Sequence, residues 1–164
     1  MWSPQGLGGD DRAGVYAIIQ IIENGYRPSI VFTTDEELCC LGAQALIEKK
    51  PICPFKNLKA IIELDRQGKK DMVFYGCRNS SFKKYIKNYD FIFKKGSFSD
   101  ISILAPAWDV AAVNLSIGYE DEHSPLEILH IDWLEETIKK VKNILNDSFS
   151  MPTFAYNSFK HLKK

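Results

Sequence analysis

The sequence has no C-x-x-C pair, no apolar run long enough to span a bilayer and no signal-peptide pattern at its start. Its four cysteines are Cys39, Cys40, Cys53 and Cys77. Because none is spaced as a zinc-ribbon or thioredoxin-type pair, those two kinds of site are disfavoured. Free thiols in a reducing compartment are the default, and we therefore expect a cytoplasmic protein without a membrane partner.

The chain also lacks an excess of either charge, since 21 Lys and Arg residues balance 21 Asp and Glu residues. This balance gives no indication of nucleic acid or an anionic membrane surface as a partner. Histidine is scarce, and all three copies, His123, His130 and His161, lie late in the sequence. A chain of 164 residues that is 45% hydrophobic suits one globular domain with a substantial core.

Apolar periodicity predicts helices that alternate with strands. The predicted helices cover about 13–22, 41–49, 79–88, 101–104 and 132–146, and the predicted strands cover 29–32, 59–64, 71–75, 89–93 and 111–117. The alternation predicts an α/β fold in three layers, with a mixed, mostly parallel sheet covered by helices on both faces. We also expect strand 71–75 to be of hairpin type, Pro106 to end its helix, and Asp132 with Glu135 to form a capping box.

The acidic turn Asp35-Glu36-Glu37 directly follows the predicted strand 29–32. Three consecutive carboxylates repel one another, and a bound cation removes that repulsion. A solvated acidic turn is the alternative. Because neighbouring side chains diverge, Glu36 and Glu37 can have different tasks: one can bind a metal while the other faces a water that the metal has acidified.

Three further side chains fall at strand ends or at a helix start, on the edge of the sheet where functional groups collect: Asp10, Asp65 and His123. Each has a simpler explanation alone, as a helix-start charge, a turn cap or a loop histidine. Together with Glu37 they supply three carboxylates and one imidazole, which suit zinc, or cobalt and manganese. Glu63 is an alternative to Asp65, and Asp100 is a candidate lining residue of the pocket.

Four stretches, 8–14, 33–42, 62–68 and 114–125, resemble in order the motifs of the co-catalytic zinc exopeptidases, which include aminopeptidases, tripeptidases and carboxypeptidases. The resemblance covers most of residues 6–147 and is nearest to short forms without a lid domain. It implies the phosphorylase/hydrolase-like α/β fold. We therefore expect a catalytic domain over 1–147 that lacks the family's first strands, followed by an aromatic tail over 148–164.

The resemblance also implies a role for each site residue. Asp10 would bridge two zinc ions, Glu37 and His123 would complete one metal site, and Asp65 would serve the other. Glu36 would be the general base, and the Asp10–Asp11 peptide would be cis. The implied reaction is the hydrolysis of a peptide bond at a chain end, of aminopeptidase or di/tripeptidase type, through a metal-bridged water. Whether the enzyme would act at the amino end or the carboxyl end of its peptide substrate remains open.

The sequence departs from the family in one respect. The family takes a further ligand from a histidine in an upstream H-x-D strand, and here no histidine precedes His123. We therefore expect an amino-terminally shortened chain with one incomplete metal site, unless His130 or His161 substitutes. Two alternatives follow: a catalytically impaired protein that keeps partial metal binding and acts as a binding module, or a fragment that needs further strands. A homo-oligomer through an exposed sheet edge or the tail is also expected.

Overall fold

A computed structural model describes residues 6–157 of the chain. Its elements are, in chain order, α1 (Gly9–Glu23), α2 (Leu41–Lys49), β1 (Ile61–Arg66), β2 (Asp71–Val73), α3 (Ser80–Lys87), β3 (Ile92–Phe93), α4 (Ile101–Trp108), β4 (Ala112–Ser116), β5 (Tyr119–Glu120), β6 (Ile128–Leu129) and α5 (Ile131–Asp147). The main sheet has the order β1-β4-β2-β3, and β5 pairs with β6 in a separate antiparallel hairpin.

The main sheet is mixed and mostly parallel, as the sequence predicted. β4 runs parallel to β1, β3 runs parallel to β2, and β2 is antiparallel to β4. Every residue of β4 is buried, because this strand lies inside the sheet and is covered on both faces. The predicted fold class is therefore confirmed.

The described residues form three apolar clusters, and the two larger ones cover the sheet. The larger one joins α1, α3 and α5 to the strands, with Ala17, Phe82 and Ile86 fully buried. A smaller one joins α2 and α4, where Trp108 meets Phe55 edge to face with ring centroids 5.9 Å apart. Residues 151–156 add to the core through the buried side chains of Met151 and Phe154. Within residues 6–157, no helix is long and apolar enough to cross a membrane.

The strand predicted over 29–32 is wrong. Residues 28–33 make no backbone–backbone hydrogen bond to any described residue, and 56% of Phe32 is exposed. They line a cleft of about 830 Å³ together with residues of β1, the edge strand of the sheet. An apolar run becomes a strand only where a neighbour completes its hydrogen bonds, and none of the described strands lies beside this run.

Three local predictions are also wrong. Strand 71–75 does not form a hairpin with the preceding strand, because the apolar strand β4 inserts between β1 and β2. Pro106 does not end its helix, which continues to Trp108 with the proline ring on the exposed side. His130, rather than Asp132, occupies the N-cap of α5, and no side chain caps that helix.

Candidate metal centre

Asp10 lies where an irregular segment enters α1. Its backbone is extended (φ −78°, ψ 112°), so the regular helix begins only after Asp11. The Asp10–Asp11 peptide is cis, as the resemblance implied. The Asp11 carboxylate accepts a hydrogen bond from the Gly14 backbone N–H at 2.9 Å and so caps the first turn.

Glu36 and Glu37 lie in the tight turn that leads into α2. The Cys40 N–H donates to the Glu36 carbonyl at 2.7 Å, and the Leu41 N–H donates to the Asp35 carbonyl at 3.1 Å. This folding leaves Glu37 exposed and Glu36 half-buried. The two carboxylates therefore have different surroundings, as their adjacency in sequence predicted.

His123 comes from the loop between β5 and β6. The Ser124 hydroxyl braces this loop by donating to the Asp121 carbonyl at 2.8 Å and accepting from the Leu126 N–H at 3.1 Å. The backbone of His123 is left-handed, with φ 61°. The loop thus presents the imidazole toward the start of α1 and the acidic turn.

The structure brings these three distant segments together. His123 Nε2 lies 3.0 Å from Asp10 Oδ2 and 2.5 Å from Glu37 Oε1. One ligand atom from each of the three residues lies within 4.8 Å of the others, and this is the one group of at least three such donors among residues 6–157. Two carboxylates and one imidazole form a donor set that zinc accepts in proteins.

Without a cation, the imidazole itself must balance the two carboxylates. Partial burial lowers the pKa of His123, but the hydrogen bond and charge of Glu37 and the charge of Asp10 outweigh it and raise that pKa above its usual range. The side chains of His123 and Glu37 remain 58% and 60% exposed. The group is therefore accessible from solvent and electrostatically suited to a positive charge.

Asp65 lies on β1, and its carboxyl group is next to that of Asp10. It accepts a hydrogen bond from the Tyr119 hydroxyl at 3.3 Å. Burial, with the charges of Asp11, Glu63 and Asp10, raises its pKa. No imidazole joins it within the described residues: His130 is 2.9 Å from Glu120 and stacks on Trp133. His161 lies outside residues 6–157.

Glu63, the alternative to Asp65, has a structural task. Its carboxylate accepts from the Ser99 hydroxyl at 2.7 Å and from the Ile101 N–H at 3.2 Å, which anchors the start of α4. Burial, with the charges of Asp100 and Glu36, outweighs these hydrogen bonds and raises the pKa of Glu63 to about 8. The geometry thus favours Asp65 over Glu63 as the residue available to a ligand.

Glu36 and Asp100 line the same cleft as Asp10 and Glu37. Burial, followed by repulsion from Glu37, Asp100 and Asp10, raises the pKa of Glu36. Asp100 is buried and accepts a hydrogen bond from the Thr33 hydroxyl. Carboxylates thus extend from the group of three into the cleft.

Sequence reasoning missed one site residue, Glu127. It is only 3% exposed and accepts hydrogen bonds from the backbone N–H groups of Gly8 and Asp10. A single glutamate near the start of a strand is expected to be exposed. The sequence therefore contained no indication of its role beyond its closeness to His123.

The described residues share their α/β fold with a solved aminopeptidase, so the resemblance is confirmed at the level of the fold. The chain is similar to PhTET1-12s, solved as a dodecamer, with 20% identity over 84% of this chain and 49% of that one and a TM-score of 0.59. It is similar to the aminopeptidase APDkam598 from the archaeon Desulfurococcus kamchatkensis, with 18% identity over 85% of this chain and 47% of that one and a TM-score of 0.59.

A third similar structure is an endoglucanase from Thermotoga maritima, with 22% identity over 85% of this chain and 48% of that one and a TM-score of 0.50. This chain spans about half the length of each of the three. No protein-family model and no curated protein matches it. Because a protein described as an aminopeptidase and one described as an endoglucanase share this fold, the fold alone does not fix the substrate.

Proposed function

We propose that the chain carries the centre of a metal-dependent hydrolase for peptide bonds at a chain end, of aminopeptidase or di/tripeptidase type. The observation that carries the proposal is the convergence of Asp10, Glu37 and His123 from three separate segments. Two of the three side chains are largely exposed, so the convergence adds little to the core.

The donor set fits a divalent cation. Asp10, Glu37 and His123 would hold zinc, or cobalt or manganese, and three protein ligands leave a position open for a substrate or water. Asp10 and Asp65 would contribute to a second, weaker site. A bound cation would supply Lewis-acid polarisation of a carbonyl oxygen and would lower the pKa of a water.

Glu36 is the proposed general base. It is adjacent to Glu37 in the chain and lines the cleft together with Asp10. A half-buried carboxylate there accepts a proton at its side-chain oxygen and returns it to the leaving amine, while the acidic turn keeps it next to the ligand group.

The cleft suits a peptide. Its lining combines apolar side chains, among them Val15, Ile18 and Trp108, with the carboxylates at one end. Negative charge at that end favours a free amino terminus over a free carboxylate. The fold that the chain shares with the aminopeptidase APDkam598 supports the same choice.

We also propose a homo-oligomer, supported by the dodecamer of PhTET1-12s and by the edge strand β3, where Ile92 and Phe93 are 55% and 51% exposed. A reducing, cytoplasmic compartment is supported by the four free thiols.

The direct test compares the wild type with Glu36→Gln on free-amino-terminus peptides in the presence of zinc or cobalt. We expect Glu36→Gln to bind the metal normally and to release amino acids about 10²- to 10⁴-fold more slowly. Glu48→Gln, an exposed position on α2, is the matched control. Equal rates for Glu36→Gln and wild type contradict the proposal, and amino-blocked peptides show which chain end is used.

A second candidate is a catalytically impaired protein that binds one metal and acts as a binding module. The observation that favours it is the position of Asp65, which no imidazole joins within residues 6–157. Zinc binding at the group of three with no hydrolysis across a peptide panel would support this candidate over the enzyme.

A further inference from the structure

The segment that carries Asp10 is held by a side chain from the loop that carries His123. Glu127 Oε2 accepts from the Gly8 N–H at 2.5 Å, and Oε1 accepts from the Asp10 N–H at 2.9 Å. Both oxygens are therefore used in bonds that span 117 and 119 residues of sequence. A carboxylate that is 3% exposed has given up its water, so these two bonds replace its hydration.

The same loop is braced by hydrogen bonds between His123 and Glu127. The Ser124 hydroxyl contacts both Asp121 and Leu126, and the Glu127 N–H donates to the Ser124 carbonyl at 3.2 Å. The hydrogen-bonded loop that ends in Glu127 therefore links the Asp10 backbone to the segment that carries His123. Without such a link, repulsion between Asp10 and Glu37 would open the group of three.

The opposite side of the Asp10 segment is held as well. The Arg12 guanidinium donates to the Gly8 carbonyl at 2.8 Å and also to the Leu7 carbonyl. At Gly9, a Cβ would lie 3.2 Å from Glu127 Oε1 and 3.4 Å from Tyr119 Cβ, so the close approach of the carboxylate favours glycine there. The short glycine-rich segment is thus shaped around Glu127.

We infer that Glu127 is a positioning residue, which sets the separation of Asp10 and His123 by binding the backbone N–H groups of Gly8 and Asp10. The inference rests on the proposed function, because its consequence is tighter metal binding. It assigns Glu127 no contact with metal or substrate.

The test uses the full chain and measures two quantities, zinc affinity by competition with a chromophoric chelator and the hydrogen exchange of the Gly8 and Asp10 amides by NMR. In Glu127→Gln, the amide group can accept only one of the two bonds, because its NH₂ faces the other N–H as a second donor. We expect zinc affinity to fall roughly 10- to 100-fold and at least one of the two amides to lose protection. Glu135→Gln, exposed on α5, should match the wild type.

Glu127→Asp separates position from charge. It keeps the negative charge but is one methylene too short to reach both N–H groups, so it should lose zinc affinity as Glu127→Gln does. Retention of wild-type affinity by either variant, or unchanged protection of both amides in Glu127→Gln, overturns the inference. If the wild type itself binds no zinc, the proposed function fails, and the amide exchange alone decides whether Glu127 holds the segment.

Discussion

Asn114→Asp is the substitution that most sharply tests how the sheet holds Asp65. Asn114 is fully buried on β4, beside the shift in register between Glu63 and Arg66 of β1. Its side chain replaces the backbone hydrogen bonds that a neighbouring strand would make to Asp65. Oδ1 accepts from the Asp65 N–H at 3.0 Å, and Nδ2 donates to the Asp65 carbonyl at 2.7 Å.

Aspartate keeps the shape of asparagine and replaces only the donor. The variant loses the hydrogen bond to the Asp65 carbonyl and leaves that carbonyl facing a second acceptor. It also loses the longer bonds from Nδ2 to the hydroxyls of Tyr75 and Ser99, at 3.2 and 3.4 Å. A lost bond of about 1 kcal/mol plus an unpaired buried acceptor of about 1–3 kcal/mol predicts a decrease of about 2–4 kcal/mol in the free energy of unfolding. A new charge near Glu63 and Asp65 adds to this cost.

Urea unfolding at pH 8 and pH 5 measures the effect. Burial and the neighbouring acidic groups should raise the pKa of the new carboxyl group and so favour its protonated form at pH 5. That proton can be donated to the Asp65 carbonyl, so the deficit should shrink. Asn143→Asp, an exposed position on α5, is the control. The reasoning is refuted if Asn114→Asp is as stable as this control at pH 8, or if its deficit does not change with pH.

Two further predictions concern stability. Gly14→Ala should unfold about 1–3 kcal/mol more easily or fail to fold, because its Cβ would lie 1.9 Å from the Leu64 carbonyl oxygen; a melting temperature equal to that of the wild type would contradict this. In the metal-free protein, Glu63 should lower the stability as the pH rises from about 4.5 to about 8, because the folded state keeps a proton on Glu63 that the unfolded state has released. This one group should contribute up to about 1.4 kcal/mol per pH unit. Thermal melts in the presence of a chelator should show a weaker dependence of stability on pH in Glu63→Gln than in the wild type. A wild-type stability that rises with pH would contradict this prediction.

Much of the fold follows from local pattern. The buried residues of α5 form an apolar stripe, and those of β4 form a continuous apolar run. Both patterns are visible within a short stretch of sequence, so they were sufficient to predict these two elements. β1 was found as well, although it begins at Ile61 and includes Asp65 rather than ending before it.

The errors come from partners that are distant in sequence. Residues 29–32 have strand composition but no described neighbour to pair with, and composition cannot reveal a missing neighbour. The turn at 68–70 looks like a hairpin until β4, some forty residues later, takes the central place. The order of strands depends on the whole sheet, so the local sequence of a turn does not reveal that a later strand lies between its two neighbours.

The candidate site divides in the same way. Asp10, Glu37 and His123 have recognisable motifs around them, and the structure brings them together. Asp65 was predicted beside them from its strand-end position, and it lies on β1 next to Asp10, held by Asn114 and Tyr119. Its role as a metal ligand stays a prediction. Glu127 was invisible because its importance lies in bonds to backbone atoms more than a hundred residues away.

The most direct measurement is the anomalous diffraction of crystals grown with zinc, recorded at the zinc absorption edge. We expect one strong peak between Asp10, Glu37 and His123, and a weaker or absent peak beside Asp65. A map in which the position between those three side chains is empty, with His123 turned away from Asp10, would contradict the account.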